Sequence, residues 1–365
     1  MSARYLAWLG VLGVAIIAGL YTALRLFMDG HVLFNANDVV LWTLPLGSYV
    51  FFALTSSGLG LLSSLPLLFG VERYRPVAKR VVLLAIATLA AAFISIGLEL
   101  GSITHLIYIF LSPNFGSPIQ IMGFIYSVEL VCLLVKFWRL HLNDQHSALS
   151  KLAGLGAFVA ALFGPLVLGS VFGLTEARPT FFGSFLPILS LVIAVVSGLA
   201  AFLLYSGLGS LYIGGEARVD EAILEDAGVK LDFTLFIALL FYLLWAVFRS
   251  AITLPDFAID VNFSLALVLV VPFLLLAAKG IRSSQWGRIA AGFLTLATFF
   301  ALHMEVLLAG QERPMGPKAE GLPTVLSYAP SIWEYLVVVL SLAVALLLLT
   351  LAERHLHLGS GTREV

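Results

Sequence analysis

The chain has 365 residues, 61% of them hydrophobic and only 11% charged, with a mean hydropathy of +1.04 and a net charge of −1. Globular chains carry about a quarter charged residues, so this composition excludes a water-soluble fold, and the lack of a basic or acidic tail speaks against nucleic acid as a partner. The single cysteine, Cys132, excludes an intrachain disulfide, a cysteine-held iron–sulfur cluster and a zinc ribbon, so no bound metal is expected in this chain and any cluster would belong to a partner.

Apolar stretches of about 18 to 30 residues, each long enough to cross a bilayer core, alternate with short polar loops along the whole sequence. A bilayer offers no partner to an unpaired N–H or C=O, so each stretch is predicted to be helical. The predicted fold is therefore an all-α integral membrane protein of about ten transmembrane helices.

The first span, 5–27, follows Arg4. It is longer than the apolar core of about 7 to 15 residues in a cleaved signal peptide, and is read as a retained span. The second, 38–70, carries Tyr49 and Ser56, seven apart and so on one helix face. Ser56, Gly60 and Ser64 form a small-residue ridge that permits close helix approach. The third, 77–101, ends near Glu99, with His105 in the loop beyond. The fourth, 117–138, holds Gln120 and, spaced to share a face, Tyr126 and Glu129. Spans 150–173 and 182–212 follow, and the latter echoes span two: Pro45 precedes Ser57-Gly58-Leu59, as Pro187 precedes Ser197-Gly198-Leu199. In spans 231–251, 262–279 and 287–309, Tyr242 shares a face with Arg249, and His303 and Glu305 approach the same membrane surface. The last span is 331–352. This reading divides the chain into a first helix and outer loop (1–37), a first four-helix bundle (38–173), a second (174–310), and a last helix with its tail (311–365), giving two four-helix bundles with two peripheral helices.

Cytoplasmic loops collect lysine and arginine. Arg4, Arg73, Arg75, Lys79, Arg80, Lys136, Arg139, Lys151, Arg218, Lys230, Lys279, Arg282, Arg288, Arg354 and Arg363 fall on one side, which predicts that both termini are cytoplasmic. The acidic segment 214–230 on that side reads as solvated surface.

Ionisable side chains within spans are costly and mark functional sites by default. A quinone head group needs a donor or acid at each carbonyl, an apolar slot and a proton route to water. Tyr49, Ser56, Glu99, His105, Gln120, Tyr126 and Glu129 offer that set in the first bundle. Glu99 and His105 could equally be wetted loop residues and Tyr126 an interhelical hydrogen bond; Glu129 is the hardest to assign a purely structural role. Tyr242, Arg249, His303 and Glu305 form a candidate second site or a local salt bridge. The seven histidines lie at span ends or in loops, which argues against haem. No phosphate loop, zinc signature or hydrolase elbow occurs.

Leu98-Glu99-Leu100-Gly101, followed by Ser112-Pro113-Asn114-Phe115-Gly116-Ser117-Pro118 and a helix with Tyr126, resembles the D-L-G … P-N-x-x-S-P signature of the NrfD/PsrC (polysulfide reductase membrane subunit) family. Ala177-Arg178-Pro179, Pro187 through Gly198, Leu308-Ala309-Gly310-Gln311, and Tyr328-Ala329-Pro330-Ser331 through Glu334 are similar to further family landmarks in the same order. The chain departs from the pattern at Glu99, usually Asp, at Ser102-Ile103, usually Arg-Pro, and near His303, where an Arg is usual. Ten spans suggest the longer branch of the family. The resemblance implies a quinone-binding subunit (menaquinone or ubiquinone) of a respiratory complex in a prokaryotic cytoplasmic membrane. It further implies partners in the form of an iron–sulfur ferredoxin-like subunit and a molybdopterin or multihaem cytochrome subunit. Glu99 or His105 would then exchange protons with the outer side, Tyr126 would hydrogen-bond a quinone carbonyl, and Glu129 would relay protons or hold Tyr126. Two rival readings are a proton-translocating or transporter module, which predicts broken helices at matching positions in both halves, where the only mid-span prolines, Pro165 and Pro272, are not equivalent by position, and a structural membrane anchor with a degenerate pocket.

Overall fold

The computed structural model describes residues 3–212, 219–248, 263–316, 319–356 and 358. Of the residues singled out above, Arg249, Arg218 and Arg363 lie outside the described residues. The helices are α1 (Ala3–Asp29), α2 (Leu44–Phe69), α3 (Ala78–Glu99), the one-turn α4 (Tyr108–Leu111), α5 (Pro118–His141), α6 (Ala148–Gly173), α7 (Phe185–Tyr212), α8 (Glu221–Phe248), α9 (Val270–Ala277), α10 (Gln285–Ala309) and α11 (Ile332–His355). Among the described residues nine helices are long and apolar enough to cross a membrane. The chain is an all-α, multi-pass integral membrane protein.

The eighth expected span, 262–279, differs. Its described part is a 3-10 turn, Phe263–Leu269, continued by the short α9, whose first turn holds Pro272. Proline lacks the N–H that a helix interior needs and is tolerated in a first turn, where that group has no partner anyway. Pro165, by contrast, lies inside the unbroken α6, so the two prolines do not mark equivalent breaks.

Contacts between loops define two ends of the molecule. At one, called here the loop end, Asn35 meets Glu334, Leu41 and Trp42 meet Gln311, and Arg178 donates to the Gln311 and Arg313 carbonyls. At the other, the terminal end, Arg80 pairs with Glu353 and the Arg354 guanidinium lies over Tyr5. Around this axis α2, α3, α5 and α6 pack as one ring and α7, α8, α9 and α10 as another, while α11 lies on α3 and carries α1 on its far side. Val14 and Ile17 of α1, each 69% exposed, show the outer side of that peripheral helix to be an apolar, lipid-facing surface.

The two rings join through α2 and α7, which touch backbone to backbone. A Cβ on Gly58 would stand 1.7 Å from the Ala194 carbonyl oxygen, and one on Gly198 would stand 2.3 Å from the Gly58 carbonyl carbon. The sequence echo between spans two and six is thus where the two helices cross, with glycine on both sides because no side chain fits between them.

The acidic segment ahead of span seven is more than solvated surface. From Glu221 onward it forms the first turns of α8, where Glu221 pairs with the buried Arg288 at 2.7 Å and Asp226 accepts from the Tyr74 hydroxyl at 2.7 Å.

Candidate functional site

The buried face of α5 carries Gln120, Tyr126, Glu129, Leu133, Lys136 and Leu140. From Tyr126 to Leu140, steps of three and four keep these positions on one stripe of the helix, turned toward the bundle. Tyr126 and Glu129 are both fully buried. The Tyr126 ring meets that of Tyr49 on α2 edge-on, with centroids 6.4 Å apart. Glu129 Oε2 accepts from the Ser57 hydroxyl at 3.0 Å. Among the described residues the Tyr126 hydroxyl and Glu129 Oε1 have no hydrogen-bond partner within 3.5 Å. A buried polar atom without a partner costs about 1 to 3 kcal/mol, and these two stand on adjacent turns of α5. Glycines make the room beside both. A Cβ at Gly164 would lie 3.3 Å from the Tyr126 ring, and one at Gly60 would lie 3.3 Å from Glu129 Oε1.

Toward the loop end a second polar group is assembled. The backbone N–H and hydroxyl of Thr43, the residue before α2, donate to Glu99 Oε1 at 3.1 and 2.9 Å, and the hydroxyl lies 2.7 Å from Oε2. The next N–H, Leu44, donates to the Tyr328 hydroxyl at 2.9 Å, and that hydroxyl is bonded to Glu334. Glu334 closes the N-terminus of α11 in a reciprocal cap with Ser331 and accepts from the Asn35 N–H at 2.8 Å. Burial, and then the bond to Glu334, push the Tyr328 phenol above the ordinary tyrosine range. Thr43 precedes Tyr49 by six residues, so this group stands about 9 Å along α2 from the Tyr49–Tyr126 pair.

Several expected residues fall elsewhere. Ser56 donates to the Ala85 carbonyl on α3 at 2.8 Å; Ser57, the next residue, is the one that meets Glu129. Sharing a face with Tyr49 did not decide the partner, because α2 meets α3, α6, α7, α10 and α11 and reaches α5 as well. Gln120 donates to the Ile109 carbonyl and ties α5 to the loop that contains α4, away from Tyr126. His105 is exposed on that loop with its ring 5.5 Å from Tyr108. It is His31, at the end of α1, whose Nε2 comes within 3.2 Å of the Leu98 carbonyl next to Glu99. Lys136, placed by sequence on the cytoplasmic flank, is 2% exposed and points into the bundle.

Of the candidate second site, Tyr242 and His303 line a cavity of about 50 Å³ between the two rings, with Gly47, Phe172, Phe181 and Ser190 among the other walls. Glu305 is not among the lining residues, and Arg249 lies outside the described residues. A water needs about 10 to 15 Å³ by this measure, so the space suits a few waters and is too small for a quinone ring.

A polar column thus runs along one helix of a four-helix ring, and nine helices among the described residues are long and apolar enough to cross a membrane. The family model described as polysulphide reductase, NrfD matches residues 31–315. The chain belongs to the NrfD family. The match takes in Tyr49, Glu99, Tyr126, Glu129 and Lys136, while Tyr328 and Glu334 lie beyond it. The NrfD chain is also similar to the Hdr-like menaquinol oxidoreductase integral membrane subunit of Archaeoglobus fulgidus, at 24% identity over 367 residues, covering 93% of this chain and 89% of the relative.

Proposed function

We propose that this NrfD chain is the quinone-binding integral membrane subunit of an oxidoreductase complex, with Tyr126 and Glu129 as the groups that meet the quinone head group. One observation carries the reading: two fully buried polar atoms on adjacent turns of α5, the Tyr126 hydroxyl and Glu129 Oε1, have no hydrogen-bond partner among the described residues. A phenol donor and a carboxyl oxygen suit a quinone or quinol, which presents carbonyl or hydroxyl oxygens. Similarity to a menaquinol oxidoreductase subunit supports the same reading and favours a menaquinone-type ligand over ubiquinone.

A bound quinone supplies two-electron, two-proton redox chemistry. The chain's own contribution is to orient and to move protons. Tyr126, braced edge-on by Tyr49, donates from its hydroxyl. Glu129, fixed by Ser57, holds or releases a proton at Oε1. Glu99 and Glu334, with Thr43 and Tyr328 beside them, form a buried polar group at the loop end, the side that the charge distribution assigns to the outside. Electrons pass to or from an iron–sulfur ferredoxin-like partner, which in turn serves a molybdopterin or multihaem cytochrome subunit. The termini face the cytoplasm of a prokaryotic cell.

The test is binding of a quinol analogue to the purified complex, comparing wild type with Tyr126→Phe, Glu129→Gln and Glu99→Gln. Tyr126→Phe and Glu129→Gln are expected to weaken binding by about tenfold or more each, since each removes one hydrogen bond to a buried ligand. Glu99→Gln is expected to slow quinol turnover with little change in affinity. Wild-type affinity in both α5 variants, with assembly intact, would remove the assignment of this site.

A further inference from the structure

Lys136 has no part in the site described so far. It is a membrane-span lysine, 2% exposed, whose Nζ donates to the Ser63 carbonyl at 3.1 Å and to the Ser63 hydroxyl at 2.8 Å, with the Ser64 hydroxyl at 3.5 Å. All three are neutral oxygens. An ammonium buried without a carboxylate is costly, and in a membrane span such a group marks a proton or ion route by default.

Its position gives the route a direction. Lys136 follows Glu129 by seven residues on the same buried stripe of α5, about 10 Å nearer the terminal end. The interval is bridged from α2. Glu129 Oε1, without a partner, faces the bare Cα of Gly60. The hydroxyls of Ser63 and Ser64 both donate to the Gly60 carbonyl, at 2.7 and 2.9 Å, and both lie beside Lys136 Nζ. Polar atoms thus run from the Ser57 hydroxyl to Glu129 and, one Gly60 Cα farther on, resume at Ser63, Ser64 and Lys136, so a proton crosses to Oε1 only as a serine hydroxyl or the carboxyl turns into that gap. The other ionisable groups nearby are engaged or apart from it: on α5, Tyr126 lies on the loop-end side of Glu129, and at the terminal end Arg139 is paired with Asp144. On α3, Arg80 is paired with Glu353, and Lys79 reaches Asn143; on α6, Lys151 is exposed. Cys132 is half-buried toward α6.

We propose that Lys136, Ser63 and Ser64 form a buried proton file that connects Glu129 to water at the terminal end of the bundle. A proton leaves the Lys136 ammonium for a serine hydroxyl oxygen as that hydroxyl turns from the Gly60 carbonyl and passes its own proton toward Glu129 Oε1. The neutral amine is then reprotonated from the terminal-end water. The reverse sequence empties Glu129. Gly60 keeps the gap open, because any side chain there would fill the space in front of Oε1. The file goes beyond the quinone reading, which it would serve, and gives the site a second aqueous side opposite Glu99.

The test is proton exchange at Glu129 in the intact complex reconstituted in oriented vesicles, followed by infrared spectroscopy. The Glu129 carboxyl band is assigned by its loss in Glu129→Gln. Deuterated water is applied on the terminal-end side only, and the rate at which the band shifts is compared between wild type, Lys136→Met and the double variant Ser63→Ala/Ser64→Ala. Both variants are expected to slow exchange by about a hundredfold, as befits loss of a positioned proton-transfer group, with quinol-analogue affinity unchanged. Should Lys136→Met fail to assemble, the serine double variant carries the test alone. Wild-type exchange rates in an assembled variant would overturn the file. Because the readout needs no quinone, a failure of quinone binding in wild type would overturn the site assignment without touching this result.

Discussion

Single side chains hold the loop end together by supplying partners to backbone that forms no regular structure. Residues 38–43 were expected to begin a span, yet the helix starts only at Leu44, with Pro45 in its first turn. The nine residues before it form a strap with Val39 and Val40 buried. Asn37 Oδ1 accepts from the N–H groups of Val39 and Val40, and Gln311 Oε1 from those of Leu41 and Trp42, at 3.0 and 2.8 Å. Buried backbone donors must be paired, and Gln311 pairs two at once while its Nε2 donates to the Trp42 and Leu307 carbonyls. Gln311→Ala should leave both N–H groups without a partner at a cost of about 1 to 3 kcal/mol. Hydrogen exchange at Leu41 and Trp42 should then quicken by about tenfold or more, and unchanged exchange would show the strap to be held by Glu99 and Tyr328 alone.

At the scale of helices, close approach decides which pairs form the centre. α2 and α7 cross at Gly58 and Gly198, and Gly47 of α2 and Gly292 of α10 repeat the device against Met304 and the Ala200 carbonyl. In a membrane the helices gain little from burying apolar surface, since lipid is equally apolar, so packing at small residues carries the association. Gly198→Ala places a Cβ 2.3 Å from the Gly58 backbone, with no side chain able to yield. The variant should lose about 1 to 3 kcal/mol or more from overpacking and melt earlier in detergent. Gly10→Ala, on α1 with nothing within 4 Å of the new Cβ, should melt as the wild type does.

Across the whole molecule, buried charges tie the peripheral pair of helices to both rings. Arg80 on α3 and Glu353 on α11 are 2.9 Å apart, 5% and 4% exposed, and Tyr205 on α7 donates to the same Glu353. Breaking a buried pair leaves one charge uncompensated, at about 3 to 5 kcal/mol, whereas replacing both partners with apolar groups is often close to neutral. Glu353→Leu should therefore lower the melting temperature of the complex more than Arg80→Met/Glu353→Leu does. The opposite order would mean that the pair contributes net stability.

Hydropathy alone determined that this is a helical membrane protein and where most of its spans run, features that depend on length and local composition against a roughly 30 Å apolar slab. The family pattern was legible in short motifs instead. The same stretch-by-stretch reading singled out Tyr126 and Glu129 as buried within a span, because a carboxyl there is conspicuous in any sequence. It could not tell Ser56 from Ser57, since adjacent residues on a helix enclosed by several others differ only in which neighbour they reach. It took Lys136 for a flank residue, although its seven-residue spacing from Glu129 was legible, because positive charge near a span end ordinarily reaches for the headgroups. Whether a long side chain turns outward to lipid or inward to Ser63 depends on what α2 presents to it, and that was decided only when the helices came together.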